Sequence, residues 1–136
     1  MIRKKGYEIV PYMVSIRKDK MVKYSKTLER RRQMINVEKI ASDMGYWYIE
    51  AGYGKWQDGG GIVKSLKSMS NEYLENCSNF VGRGIAEIEN GQVDKIIKQE
   101  IKKQGIDNVT EELLDTVKMD MINILKNKKD EIDELI

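Results

Sequence analysis

The chain has 136 residues, of which 40% are hydrophobic and 34% charged, a composition typical of one globular domain. The absence of histidine excludes Ser-His and Cys-His nucleophile pairs and the common zinc sites, and the single cysteine cannot form an internal disulfide. The net charge of +2 hides an asymmetry: residues 1–39 carry twelve basic and four acidic residues (net +8), and residues 40–136 carry twelve and eighteen (net −6). This distribution favours an anionic partner for the N-terminal part, or contact between unlike ends of two subunits.

Residues 1–18 are predicted to form an extended basic arm or an edge strand. Alternate positions on one side of the extended chain are apolar: Val10, Tyr12, Val14 and Ile16. Pro11 lacks an N–H group for a strand ladder, which restricts the segment to the edge of a sheet. The basic N-terminus is not followed by the apolar stretch of a secretory signal, and no run of about 18 apolar residues predicts a membrane span. We therefore expect a cytoplasmic or virion-associated protein.

Residues 20–45 are predicted to be a basic helical segment, because apolar residues recur at three- and four-residue spacings. Asn36 is a candidate N-cap for a short helix, and Gly45 is placed to end it. The basic helix 17–33 could bind nucleic-acid phosphates through six side chains: Lys20, Lys23, Lys26, Arg30, Arg31 and Arg32. The same residues could equally form a solvated face or pair with acidic residues of another subunit.

Residues 46–61 are predicted to form an aromatic and glycine-rich loop, hairpin or short strand. Both tryptophans lie here, and we identify three candidate partner-binding residues: Tyr48, Tyr53 and Trp56. The alternative is that these aromatic side chains close a small core. The segment GYGKWQDGGGIVKS at 52–65 has the residue types of a phosphate-binding loop, but Asp58 and Val63 occupy the two positions where that loop needs glycine. We expect a turn-forming connection instead.

Residues 62–136 are predicted to be helical. The first helix of this part is expected from about Ile62 to Val81, with an interruption at Gly82-Arg83-Gly84. A further helix around 93–101 should end at Gly105. The spacing of Asn108 and Glu111 predicts a capping box for a last helix that runs toward Ile136, with an apolar stripe that Lys128 interrupts.

The sequence predicts a single, mainly α domain with about four helices, and no catalytic residue, cofactor site, metal site or small-molecule substrate. Cys77 lies on the apolar side of its helix, where a buried side chain is expected, and acidic residues in first helical turns are explained by the helix dipole. We expect a non-enzymatic structural or interaction protein that is a subunit of a homo- or hetero-oligomeric assembly, with a phage-particle or tail-like component as the favoured setting. The alternative is a small nucleic-acid-binding regulatory protein that uses the basic helix 17–33.

Overall fold

The computed structural model describes Arg30 and residues 34–136 of the chain. The described part is mainly helical, as predicted, with four α-helices and one small antiparallel sheet. The helices are α1 (Val37–Asp43), α2 (Asn71–Glu89), α3 (Asp94–Lys103) and α4 (Glu111–Asp133). A 3₁₀ helix (Trp47–Ala51) and the strands β1 (Lys55–Gln57) and β2 (Val63–Ser65) lie between α1 and α2, and a second 3₁₀ turn (Leu66–Ser68) follows β2.

Helix α1 has the ends that the sequence predicts. The side chain of Asn36 accepts a hydrogen bond from the backbone N–H of Lys39 at 3.0 Å, which makes Asn36 the N-cap. Gly45 follows the helix with φ +107°, a left-handed conformation that favours glycine. Of the predicted arm at 1–18 and the basic helix 17–33, only Arg30 belongs to the described residues, where it is helical and exposed.

The predicted helix from Ile62 to Val81 is wrong at both ends. Val63–Ser65 pairs with Lys55–Gln57 as a strand, and the helix begins only after Ser70, whose hydroxyl accepts from the N–H of Tyr73 at 3.2 Å. At the other end, Gly82-Arg83-Gly84 does not interrupt α2, which continues to Glu89. Gly84 lies inside α2 at a point where Tyr46, Tyr48 and Leu125 pack too closely for a larger side chain.

Helices α2 and α4 form the main layer of the fold, with α1 and α3 packed beside α4. The core consists of apolar side chains from all four helices and from the segment between α1 and α2. Gly105, with φ +98°, follows α3 as predicted. The predicted capping box at Asn108 is wrong, because Thr110 is the N-cap of α4 and its hydroxyl accepts from the N–H of Leu113 at 3.1 Å.

Candidate interaction surface

The glycine-rich stretch forms the turn of a β-hairpin. Asp58 organises this turn: its Oδ1 atom accepts hydrogen bonds from the N–H groups of Gly60 and Ile62, each at 2.9 Å. The Asp58 carbonyl accepts from the N–H of Gly61, which has φ +84° and so needs the freedom of glycine. The carboxylate that argues against a phosphate-binding loop therefore has a local role: it closes the turn and sets the register of β1 and β2.

Beneath the hairpin lies a cluster of aromatic rings. The rings of Tyr48 and Trp56 are stacked with their centroids 4.9 Å apart and their planes 4° apart, and the edge of Phe80 from α2 meets both. Tyr48 is 1% exposed and Trp56 is 5% exposed. The prediction that these two residues are presented to a partner must therefore be corrected: they belong to the core, because α2 and the hairpin turn a locally exposed sequence into a buried layer.

The aromatic cluster continues onto α2 through close contacts. The hydroxyl of Tyr46 donates to the Glu87 carboxylate at 2.9 Å. A Cβ atom placed on Gly84 would stand 3.0 Å from both the Tyr46 ring and the Tyr48 hydroxyl oxygen, and 3.2 Å from Leu125. Burial raises the pKa of both tyrosines well above the usual range, and the nearby Glu87 carboxylate adds to this effect, so both phenols stay protonated at ordinary pH.

Lys128 on α4 holds the start of the hairpin. Its ammonium group donates three hydrogen bonds, to the carbonyl oxygens of Gly52 and Lys55 at 2.8 and 2.9 Å and to Glu131 Oε1 at 2.9 Å. The same Glu131 oxygen accepts from the N–H of Gly54 at 2.9 Å. Lys128, only 4% exposed, thus uses all three of its donors, which meets the requirement for burying an ammonium group. The residue that interrupts the apolar stripe of α4 is the hairpin's anchor.

Three large apolar side chains of this anchored hairpin are exposed. Tyr53 is 80% exposed, Ile62 is 59% exposed and Val63 is 49% exposed, and we call these three residues the hairpin surface. Of the three predicted partner-binding residues, only Tyr53 belongs to it. The sequence prediction missed Ile62 and Val63 because their spacing to later apolar residues imitates a helix; the alternation from Lys55 to Gln57 and the glycine turn were the signals for a hairpin.

The described residues show no reactive constellation around this surface. Cys77 is buried, and burial raises the pKa of its thiol, which is the opposite of what a nucleophilic cysteine needs. No group of three or more acidic or cysteine side chains among the described residues is arranged to hold a metal ion. Of the predicted nucleic-acid set, Arg30 belongs to the described residues and the other five residues lie outside them.

Two further findings concern membrane-spanning helices and similarity to known proteins. Within residues 34–136, no helix is both long enough and apolar enough to cross a membrane. Comparison with protein-family models, with curated proteins and with solved structures finds no match to this chain.

Proposed function

We propose that the chain is a non-enzymatic subunit of a protein assembly and that it associates through the hairpin surface of Tyr53, Ile62 and Val63. The observation that carries this proposal is the exposure of three large apolar side chains on one hairpin whose base is bonded to α4. Exposed apolar residues carried by one structured element are candidates for a protein interface.

The attachment of the hairpin supports this role. A surface that is already ordered loses less conformational entropy on binding than a free loop does. The bonds from Lys128 and Glu131 to the loop at Gly52–Lys55, and the stacking of Trp56 on Tyr48, hold the hairpin before any partner arrives. Tyrosine is also a residue that contributes strongly to interfaces, since it adds a large contact area with few rotatable bonds.

The test is the association state of the full chain, measured by size-exclusion chromatography with light scattering over a range of concentrations. We expect the wild type to form a defined oligomer and the double variant Tyr53→Ser, Val63→Thr to dissociate to monomer. The control is Ile96→Ser on α3, which changes an exposed apolar residue outside the hairpin surface. A wild type that stays monomeric at every concentration, and that retains no partner protein, contradicts the proposal.

The charge asymmetry favours a second candidate function, a nucleic-acid-binding regulator that uses the basic helix 17–33. Residues 1–39 carry a net charge of +8 (twelve basic, four acidic), and such a segment binds phosphates with an affinity that falls steeply as salt rises. Charge reversal at Arg30, Arg31 and Arg32 should then abolish a shift of labelled DNA or RNA. If the protein does not shift the mobility of labelled DNA or RNA at low salt, this candidate is eliminated. The setting in a phage particle or tail-like machine stays a prediction.

A further inference from the structure

Strand β2 has an open edge. The ladder bonds of the hairpin run from Asp58 N–H to the Ile62 carbonyl at 3.0 Å and from Leu66 N–H to the Gly54 carbonyl at 2.9 Å. In an antiparallel pair, hydrogen-bonded positions alternate with positions whose backbone groups point outward, so the backbone N–H and C=O of Val63 point away from β1. Among residues 34–136, no hydrogen bond outside the ladder reaches these two groups. The edge therefore offers a donor and an acceptor to another strand.

The opposite edge of the hairpin is partly occupied by side chains of α4. The outward-pointing carbonyl of Lys55 on β1 accepts a hydrogen bond from Lys128, and the nearby N–H of Gly54 donates to Glu131. Gln57, opposite Val63, also points its backbone groups outward, but Lys128 and Glu131 of α4 lie beside this edge, so β2 offers the more open edge to an added strand. All three residues of β2 are exposed, and Val63 is the apolar one among them.

The sequence contains a segment suited to this edge at residues 10–16. In an extended chain, residues of one parity direct their side chains to one face and their backbone N–H and C=O groups to one edge. The even positions are Val10, Tyr12, Val14 and Ile16, all apolar and all with an N–H group. Pro11, which has none, belongs to the odd positions. The segment thus has one complete hydrogen-bonding edge, and β-branched or aromatic side chains on that parity favour pairing.

We propose that residues 10–16 of one copy pair through their even-numbered edge with the open edge of β2 in a second copy. This inference rests on the proposed function and names the partner of the hairpin surface: an extended segment of an identical subunit, bound by β-strand addition. The backbone supplies the bonds, and Val63 supplies an apolar cross-strand contact.

The start of α1 lies away from the hairpin. Asn36, at the start of α1, is tied to Gln104 at the end of α3 by bonds of 2.7 and 3.1 Å. Lys98 of α3 pairs with Glu111 at the start of α4. The hairpin is bonded to the other end of α4, at Lys128, which lies 17 residues or about 25 Å along the helix from Glu111 at 1.5 Å per residue.

Asn36 therefore lies at the end of α4 that is away from the hairpin. The proposed association between subunits takes the form of a head-to-tail arrangement, in which residues 10–16 of one subunit reach the hairpin of the next. The unlike net charges of residues 1–39 and 40–136 favour contact between two copies.

Proline substitution in the full chain tests the pairing edge. Val14→Pro removes one N–H group from the edge formed by the even-numbered residues. Ser15→Pro removes one from the edge formed by the odd-numbered residues, in which Pro11 already lacks an N–H group. Each proline also favours an extended conformation of the residue before it, so the two variants differ in the edge that they disrupt. We expect Val14→Pro to weaken self-association about tenfold or more, which corresponds to about 1.4 kcal/mol, and Ser15→Pro to leave it unchanged. Equal effects of the two variants, or no effect of either, overturn the proposal.

Disulfide trapping tests whether the strand comes from a second copy. In a Cys77→Ala background, Val63→Cys chains are mixed with chains that carry Tyr12→Cys, Val14→Cys or Ile16→Cys, and the mixture is oxidised with oxidised glutathione. A cross-linked dimer that forms in the mixture but in neither chain alone supports exchange between copies. A further chain carries Val63→Cys together with one of the three N-terminal cysteines. An internal cross-link in this chain, with no cross-linked dimer in the mixture, overturns the proposal of exchange between copies and indicates pairing within one chain.

The two proposals can fail separately. If Tyr53→Ser, Val63→Thr dissociates the oligomer while Val14→Pro and the cross-linking have no effect, the hairpin surface associates with something other than residues 10–16 and this inference fails alone. If the wild type does not associate, the proposed function itself fails.

Discussion

The ammonium group of Lys128 and the carboxylate of Glu131 lie 2.9 Å apart, one turn from each other on α4, and both bond to the backbone of the loop that leads into β1. The side chains of this ion pair are 5% and 15% exposed. The pair therefore joins residues 52–55 to a helix that is more than seventy positions further along the sequence, and it makes the hairpin part of the folded domain.

Replacement of Lys128 by methionine should lower the free energy of unfolding by about 3 kcal/mol, the scale observed when one partner of a buried ion pair is removed. The carbonyls of Gly52 and Lys55 lose their donor and Glu131 loses its counter-charge. Urea unfolding followed by circular dichroism measures the change.

The double variant Lys128→Met, Glu131→Gln is the matched comparison for this prediction. It should recover part of the loss, since the glutamine can still accept from the N–H of Gly54 and leaves no unpaired charge. A double variant that is less stable than Lys128→Met would show that the ion pair does not act as described.

Two glycines two residues apart on α2 should respond to alanine in opposite directions. At Gly84 the added methyl would stand 3.0 Å from Tyr46 and Tyr48, whose rings are held by the bond to Glu87 and by the stack on Trp56, so we expect a loss of about 1–3 kcal/mol. At Gly82 the nearest atom is the Lys129 Cε at 3.5 Å, an ordinary contact, so the better helix propensity of alanine should add up to about 1 kcal/mol. Thermal unfolding of both variants checks the signs, and stabilisation by Gly84→Ala would contradict the close packing.

Alanine substitution should lower stability strongly at Trp56 and hardly at all at Tyr53, although the two residues are close in sequence. Trp56→Ala removes a buried ring that stacks on Tyr48 and should cost about 3–5 kcal/mol of stability. Tyr53→Ala removes an exposed ring and should change stability by less than about 0.5 kcal/mol. Chemical unfolding of the two variants at the same protein concentration makes the comparison; comparable losses would mean that Tyr53 is also part of the core.

Asp133 should make stability depend on pH at the acidic end of the range. The hydrogen bond from the Ser78 hydroxyl, at 2.5 Å, and that from Lys129, at 2.9 Å, hold the pKa of this carboxyl below its usual value. A lowered folded-state pKa contributes stability that is present above the unfolded-state value of about 3.9 and is lost as pH falls from there through the folded-state pKa. The stability difference between wild type and Asp133→Asn should therefore shrink below about pH 4 and be constant above about pH 5. A difference that grows on acidification would reverse the assigned sign.

Cys77 should be unreactive in the folded protein. Its side chain is buried against the core, and burial raises the pKa of the thiol, so little thiolate is available at neutral pH. An aromatic disulfide reagent should label about one thiol per chain in denaturant and almost none without it. Rapid labelling in buffer would place this face of α2 in solvent.

The local parts of the fold could be predicted from sequence, and the long-range parts could not. The cap at Asn36 and the end of α3 at Gly105 depend on residues within a few positions, and both predictions are confirmed. The burial of Trp56 depends on Phe80, and the role of Lys128 depends on Gly52 and Lys55, more than seventy residues away. Periodicity carries no information on such contacts.

The candidate surface was only partly visible in the sequence for the same reason. The aromatic composition of 46–56 indicated an interface, but only the fold shows that the stacked rings face inward and that Ile62 and Val63 face outward. Ile62 and Val63 were assigned to a predicted helix and so were not recognised as part of a hairpin. The apolar residues on either side of the Leu66–Ser68 turn have a helical spacing by coincidence.

Amide hydrogen exchange at Val63, measured by NMR at protein concentrations below and above the association midpoint, is the sharpest test of association through the hairpin. Its N–H points away from β1 and has no partner among the described residues, so it should exchange rapidly in the dilute monomer. We predict marked protection at Val63 in the associated state, with no change at the Trp56 amide, which already belongs to the ladder. Rapid exchange at Val63 in both states, in a sample that demonstrably associates, would show that the subunits do not associate through the edge of β2.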